Sequence, residues 1–154
     1  MKNIESLSVD ISKYCDKVID NLIKAQRDTA KQLHNDIIND SPSRTGEYKE
    51  SIKLSDTVYE NNRMATSIYT DAMVYDSAGR GYNLGSIIEY GTKPHTIEPA
   101  KKNFLKWKDE NGKWRFAKIV FHPGTAENPV FQRNLQKNIA LYKSNIAKAL
   151  KEAK

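Results

Sequence analysis

The sequence predicts an α+β fold with a long N-terminal amphipathic helix, an antiparallel sheet of about four to six strands and a C-terminal helix. Apolar residues recur at helical spacing near both ends of the chain, while the middle alternates apolar and polar residues between Pro and Gly punctuation. The 154 residues, 38% of them hydrophobic, have the length and apolar content of one folded domain. We therefore expect a single domain over residues 1–154.

The first predicted element is a helix over residues 1–40. Its apolar residues follow three- and four-residue steps, from Ile4 and Leu7 to Ile37, which is the period of one helix face. The sequence Ser41-Pro42-Ser43-Arg44-Thr45-Gly46 then combines a proline, which lacks a backbone donor, with a glycine, which tolerates left-handed geometry. A turn is expected there.

Residues 48–122 are predicted to be mainly β. Two antiparallel strands are expected to join near Glu60-Asn61-Asn62, and a third is expected around 72–75. Residues 76–86 contain three glycines and no periodicity, which indicates a mobile loop.

A second hairpin and a closing helix complete the predicted fold. Segments of β type around 104–107 and 113–121 flank Asn111-Gly112, a dipeptide that favours a tight turn because both residues accept positive φ. From Pro129 onward apolar residues return to helical spacing, so we expect a helix over 128–152 with Pro129 in its first turn.

The positive charge is concentrated in the last two-fifths of the chain. Residues 93–154 carry 14 Lys and Arg against 5 Asp and Glu, a net charge of +9. The whole chain has a formal charge of +6, because residues 1–92 are net negative. A basic face that meets nucleic acid or an acidic protein surface is one interpretation, and lysines that only solubilise an exposed helix are the other. The residues predicted to form this basic surface are Lys101, Lys102, Lys106, Lys137, Lys143 and Lys148.

Aromatic and basic residues interleave between Lys101 and Lys118. Alternate residues of a strand face opposite sides, so some of these aromatics are expected in the core. A base-stacking platform would need them exposed, and packing is the favoured interpretation. A surface that contacts phosphates needs only the cations.

The sequence contains few candidates for chemistry. Cys15 is the single cysteine, which excludes an internal disulfide and leaves a thiolate zinc site without a second ligand. His95 and His122 can meet in space, and with Glu89 or Glu98 they would form a metal or hydrolytic site. Imidazoles that hydrogen-bond in turns are the commoner arrangement. No nucleophile elbow or phosphate-binding loop is present, so no catalytic, cofactor-binding or metal-binding residue is predicted.

Five short motifs occur in order over roughly residues 40–135. The motifs are Ser41-Pro42-Ser43-Arg44-Thr45-Gly46-Glu47-Tyr48-x-x-Ser51-Ile52, Ile88-Glu89-Tyr90-Gly91-Thr92, His95-Thr96-Ile97-x-Pro99, Phe116-x-x-x-Val120-x-His122-Pro123-Gly124-Thr125 and Asn128-Pro129-x-Phe131. Together with the flanking helices, they resemble the head–tail joining, or tail-completion, family of long-tailed double-stranded DNA bacteriophages.

The resemblance implies a non-enzymatic neck protein of the virion, made in the cytoplasm of the bacterial host. Such a subunit assembles as a ring, six-fold in the virion, between the head and the tail. Its implied partners are the phage connector or head-completion protein, the tail tube protein and further copies of itself. Genomic DNA would pass through the ring without sequence-specific contact. No cofactor and no membrane association are expected.

The resemblance and the local composition together suggest roles for two groups of residues. The glycine-rich loop is expected to dock a partner and to order on docking, because its composition cannot support a packed structure alone; the residues concerned are Gly79, Arg80, Gly81 and Tyr82. The second group shapes the backbone, with glycines where a Cβ would hinder a turn and prolines that stiffen connections. Its members are Pro42, Gly46, Gly91, Pro99, Pro123, Gly124 and Pro129.

Two other functions stay open on the sequence alone. A basic nucleic-acid-binding module predicts salt-sensitive affinity of the isolated chain for nucleic acid. A small metal-dependent hydrolase built around His95 and His122 predicts metal that remains bound after purification.

Overall fold

The computed structural model describes residues 4–43, 46–76, 78–100 and 102–153. It confirms the α+β class, with long helices near both ends and short strands between them. The helices are α1 (Ile4–Asp40), α2 (Glu47–Glu50), α3 (Leu84–Tyr90) and α4 (Val130–Glu152).

The strands are three or four residues long and pair two by two. Those described are β1 (Ile52–Leu54), β2 (Val58–Glu60), β3 (Arg63–Ala65), β4 (Ile68–Thr70), β5 (Met73–Tyr75), β6 (Gly81–Asn83), β7 (His95–Ile97), β8 (Leu105–Lys108), β9 (Trp114–Ala117) and β10 (Val120–His122). β1 pairs with β4, while β2–β3, β5–β6, β7–β10 and β8–β9 are antiparallel pairs. Within the described residues the strands thus form five two-stranded sheets rather than one sheet of four to six strands.

The chain divides into two compact units. The first comprises Met1–Pro42, Ile52–Tyr69 and Phe131–Lys154, and the second comprises Ser43–Ser51 and Thr70–Val130. The sequence predicts one domain, whereas the structure divides the chain more finely. Each unit is made of separate stretches of chain. In the first unit α1 contacts β1, and Ile37 of α1 and Ile52 of β1 are both buried.

The turns follow local backbone chemistry. The β2–β3 hairpin turns at Asn61 and Asn62, whose φ angles are 51° and 59°, where the sequence predicts two strands to join. The β8–β9 hairpin turns through Asn111 and Gly112, where the sequence predicts a turn, and Gly112 has φ 73°. The longer turn there is organised by Asp109, whose Oδ1 accepts from the Asn111 and Lys113 amides.

Two stretches differ from the sequence prediction. The β region expected to begin at Tyr48 opens instead with the short helix α2. Residues 76–86, predicted to be a loop, contain β6 and the start of α3, so the prediction is wrong for their second half. The Asn83 side chain accepts from the Ser86 amide at 3.1 Å and caps α3, which explains why a helix starts here. Among the described helices none is long and apolar enough to cross a bilayer.

Candidate interaction surfaces

A polar seam joins α1 and α4, which run antiparallel in the first unit. Asp40 Oδ2 accepts from Arg133 and from Asn134, each at 2.9 Å, and one turn along the helices Asp36 Oδ2 accepts from Asn138 at 2.9 Å. The seam continues where Asn145 donates to Thr29 Oγ1 at 2.8 Å and Asn21 donates to the Ala149 carbonyl at 3.3 Å. Asn134 and Asn138 are buried, and their hydrogen bonds offset the cost of that burial.

Because α4 turns its asparagines to α1, its apolar side is left uncovered. The sequence predicts an apolar stripe on this helix, which would ordinarily form core. In the structure Phe131 and Ile146 of this stripe are half-buried, and its other four residues are 41% to 54% exposed. The residues that we call the α4 stripe are Leu135, Ile139, Tyr142 and Leu150.

An apolar groove runs beside the α4 stripe. Its other walls come from α1, through Ala30 and Leu33, and from Ile68 of β4. It encloses a cavity of about 220 Å³. An apolar cavity of about 150 Å³ admits a benzene-sized group, so this one has room for an aromatic ring.

The lysines of the predicted basic surface do not form one patch on α4. Lys137 and Lys148 are eleven residues apart and share a side of the helix, while Lys143 lies about a third of a turn away from them. Lys137 Nζ lies 3.8 Å from Asp40 and Lys148 Nζ lies 3.7 Å from Glu152, so both are paired within the chain. Lys102 and Lys106 belong to the second unit, and Lys101 lies outside the described residues.

The β8–β9 hairpin carries a face of cations and aromatic rings. Lys106 pairs with Phe116 and Lys108 pairs with Trp114, and strand alternation places all four on one side, which we call the hairpin face. Lys106 Nζ lies 4.1 Å from the centre of the Trp114 ring and 5.7 Å from that of Phe116. Trp114 is 49% and Phe116 62% exposed, so the expected packing of these aromatics in the core is wrong.

The predicted docking loop is a turn between β5 and β6 that is ordered by hydrogen bonds. Asp76 Oδ1 accepts from the Ala78 and Arg80 amides, each at 2.9 Å, and Asp76 Oδ2 accepts from Arg80 Nε at 2.7 Å. The backbone hydrogen bond from Arg80 is the largest cause that lowers the pKa of Asp76 below its ordinary value. Gly79 has φ 83°, while Gly81 and Tyr82 belong to β6, so these two residues are not part of an irregular loop.

The predicted turn glycines take backbone conformations that other residues rarely adopt. Gly46, Gly91 and Gly124 have φ angles of 88°, 66° and 90°. Gly91 and Gly124 flank a reciprocal backbone bridge in which the Thr92 amide donates to the Thr125 carbonyl at 2.9 Å and the reverse bond is 3.2 Å. A Cβ on Gly91 would meet the Thr125 carbonyl oxygen, and one on Gly124 would meet the Thr92 carbonyl oxygen.

The predicted prolines lie at the edges of elements. Pro42 follows α1, and Pro129 directly precedes α4 rather than lying in its first turn. Pro99 follows β7 and Pro123 follows β10.

The two histidines of the hydrolase alternative do meet. His95 and His122 face each other across the β7–β10 pair, with ring centres 5.0 Å apart and planes at 29°. His95 Nδ1 lies 2.9 Å from the Lys93 carbonyl, and His122 Nδ1 accepts from the Gly124 amide at 3.1 Å. No group of three or more His, Cys, Asp or Glu side chains is placed to hold a metal ion in the part of the chain that the structure describes.

Sequence reasoning did not predict the polar seam or the buried pair of Tyr48 and Glu89. The seam has a signal in the sequence, since Asn134, Asn138 and Asn145 recur at four and seven residues and so share a helix side. The buried pair has none, because it joins residues 41 positions apart in α2 and α3.

Comparison with protein-family models, with curated proteins and with solved structures finds no match for this chain.

Proposed function

We propose that this chain is a non-enzymatic structural subunit of a phage virion: a neck or tail-completion adaptor that forms a ring and joins the DNA-filled head to the tail tube. The proposal rests on the resemblance of the five ordered motifs and on one structural observation, the uncovered α4 stripe. Its partners are the connector or head-completion protein, the tail tube protein and other copies of the same chain.

The α4 stripe supports a subunit that completes its core on assembly. Its four side chains, Leu135, Ile139, Tyr142 and Leu150, are each more than two-fifths exposed. Exposed apolar surface beyond the needs of a monomer is typical of protein–protein contact sites.

The experiment is deletion of the reading frame from the phage genome, followed by electron microscopy of the lysate. DNA-filled heads separate from complete tails are expected, and addition of the purified chain to the lysate should restore joined, infectious particles. Joined particles from the deletion, or separate heads and tails that the purified chain does not join, would contradict the proposal.

The same rescue assay tests the docking turn. Arg80→Ala removes the exposed cation of the β5–β6 turn and is expected to weaken rescue. Arg63→Ala, an exposed arginine of the β2–β3 hairpin, is the matched control. Equal rescue by the two variants would contradict a docking role for the β5–β6 turn.

A nucleic-acid-binding module is the second candidate, and the hairpin face favours it. Exposed aromatic rings beside lysines are the pairing that single-stranded nucleic acid binders use, because bases stack on the rings and phosphates meet the cations. Here Trp114 and Phe116 supply the rings, with Lys106 and Lys108 beside them.

Tryptophan fluorescence separates this candidate from the first. Titration of the purified chain with mixed-sequence single-stranded DNA would quench the fluorescence of the hairpin tryptophans, Trp107 and Trp114, and the affinity would fall steeply as salt rises. A double variant, Lys106→Gln with Lys108→Gln, would weaken binding and reduce the salt dependence. An unchanged fluorescence signal at low salt would exclude the module.

A further inference from the structure

The first unit holds a second uncovered apolar surface, at the start of α1. The contact of Asn21 with the Ala149 carbonyl lies near the C-terminal end of α4, which stops three residues later at Glu152. The helix α1 begins at Ile4, so about 20 Å of it extends past the last turn of α4 at a rise of 1.5 Å per residue. We call residues 4–17 the projecting end.

The projecting end is amphipathic, and over residues 8–17 its apolar side is exposed. Ile11 and Tyr14 are 55% and 47% exposed, and Cys15 beside them is exposed as well. Their spacing continues through Val18, so they lie on the side of α1 that α4 covers farther along. The apolar side of the projecting end is therefore continuous with an existing helix–helix contact.

The α4 groove offers a matching site on the same molecule. It is concave and apolar, and its cavity of about 220 Å³ has room for the ring of Tyr14. Tyrosine is among the residues that most often anchor protein interfaces, because it buries a large rigid ring and keeps a polar tip. Within one chain the projecting end cannot reach the groove, since Tyr14 and Leu33 lie on one helix about 28 Å apart.

Charge disfavours a second α4 as the occupant of the groove. α4 carries five basic residues and one acidic residue, so a second α4 would bring like charge against like. The projecting end carries Glu5, Asp10 and Asp16 against Lys13 and Lys17, a net charge of −1. Pairing of two projecting ends would leave the groove empty.

We propose that the projecting end of one copy lies in the α4 groove of the next copy, with Tyr14 as its anchor. This contact rests on the proposed function and deepens it, since two different surfaces joined head to tail produce a ring where the rotation closes.

Engineered disulfides test the contact, because Cys15 is the single native cysteine and adjoins Tyr14. Gln136→Cys places a thiol next to Leu135 of the groove lining, and Ser144→Cys, on the side of α4 opposite Leu135, is the matched control. A disulfide needs Cα atoms within about 7 Å, so Cys15 cannot bridge to either site in its own chain.

On mild oxidation of the purified full-length chain, Gln136→Cys should give a ladder of covalent oligomers, because each chain then links two neighbours. Ser144→Cys should give background only. Tyr14→Ser in the Gln136→Cys background should lower the cross-linked fraction about tenfold, the loss typical of an interface anchor. The same oxidation is applied to phage particles that carry each change, so that contacts formed only in the virion are also captured.

Three results would overturn the contact. The first is dimers alone, because a Cys15–Cys15 disulfide gives the same dimers in the unaltered chain. The others are equal ladders from both variants, and no ladder either in solution or in particles. The deletion experiment reports separately on the neck role. A ladder, together with normal head–tail joining in the deletion, would support the contact and reject the neck role. Unjoined heads and tails in the deletion, with no ladder, would support the neck role and reject the contact.

Discussion

Tyr48 and Asp40 respond to their surroundings in opposite ways. The Tyr48 hydroxyl is buried without a hydrogen-bond partner among the described residues, and burial, followed by the Glu89 carboxylate, raises the pKa of Tyr48 above 10.0. Hydrogen bonds from Arg133 and then Asn134 hold the pKa of Asp40 below 3.8. The buried Tyr48 hydroxyl lowers the free energy of unfolding, and the hydrogen bonds of Asp40 raise it.

Tyr48→Phe is expected to raise the free energy of unfolding by about 1 kcal/mol, because it removes a buried donor that has no partner while the ring still packs. The wild type should also lose stability as the pH rises above 10, since its Tyr48 ionises more readily unfolded than folded. Urea unfolding of both proteins at neutral and alkaline pH measures the two effects. A less stable variant at neutral pH would show that the hydroxyl is satisfied.

Asp40→Asn is expected to lower stability at neutral pH by weakening the Arg133 and Asn134 contacts. Because the folded-state pKa of Asp40 is depressed, the contribution of its carboxylate is present above pH 3.8 and is lost as the pH falls through the folded-state value. The difference between wild type and variant should therefore shrink on acidification in urea titrations. A difference that stays constant with pH would assign the effect to packing instead.

At the scale of elements, short hairpins depend on their turns more than on their strands. The β5–β6 and β8–β9 turns share one design, in which an aspartate carboxylate accepts from the amides two and four residues on and a glycine with positive φ follows at the third position. In both, the second carboxylate oxygen of the aspartate accepts from an arginine. These turns hold three- and four-residue strands in register although the strands bury little.

Gly91→Ala and Gly124→Ala are each expected to lower the free energy of unfolding by about 2 kcal/mol or more, because each adds a Cβ against a carbonyl oxygen of the Thr92–Thr125 bridge and strains a positive φ. Gly112→Ala is the control, with positive φ but open space around its Cβ position, and should cost about 1 kcal/mol. Equal losses at all three positions in urea unfolding would show that φ alone sets the cost.

At the scale of the whole molecule, the exposed α4 stripe predicts stability that depends on assembly. Association of native chains stabilises them by mass action, so the midpoint of thermal unfolding should rise with protein concentration over about a hundredfold range. Differential scanning fluorimetry measures it, with Leu135→Ser expected to flatten the dependence. A concentration-independent midpoint for the wild type would contradict assembly of the free chain.

Periodicity and turn chemistry predicted most of the elements. The extent of α1 and α4 and the join at Asn61–Asn62 follow from local sequence, because helical spacing and the tolerance of asparagine for positive φ are properties of a few neighbouring residues. The same local rules failed at α2 and α3, where helices replaced expected β and loop structure, since a cap such as Asn83 can override β-favouring composition.

The sequence by itself determined the α+β class, the amphipathic ends and the charge distribution. The tertiary structure alone decided which side of each amphipathic helix is covered. Periodicity identifies the apolar side of α4 but not its neighbour, and the hydrogen bonds of Asn134 and Asn138 to Asp40 and Asp36 turned the polar side inward. Long-range pairing between residues about a hundred positions apart carries no local signal, so the α4 stripe emerges as a surface only once the chain is folded.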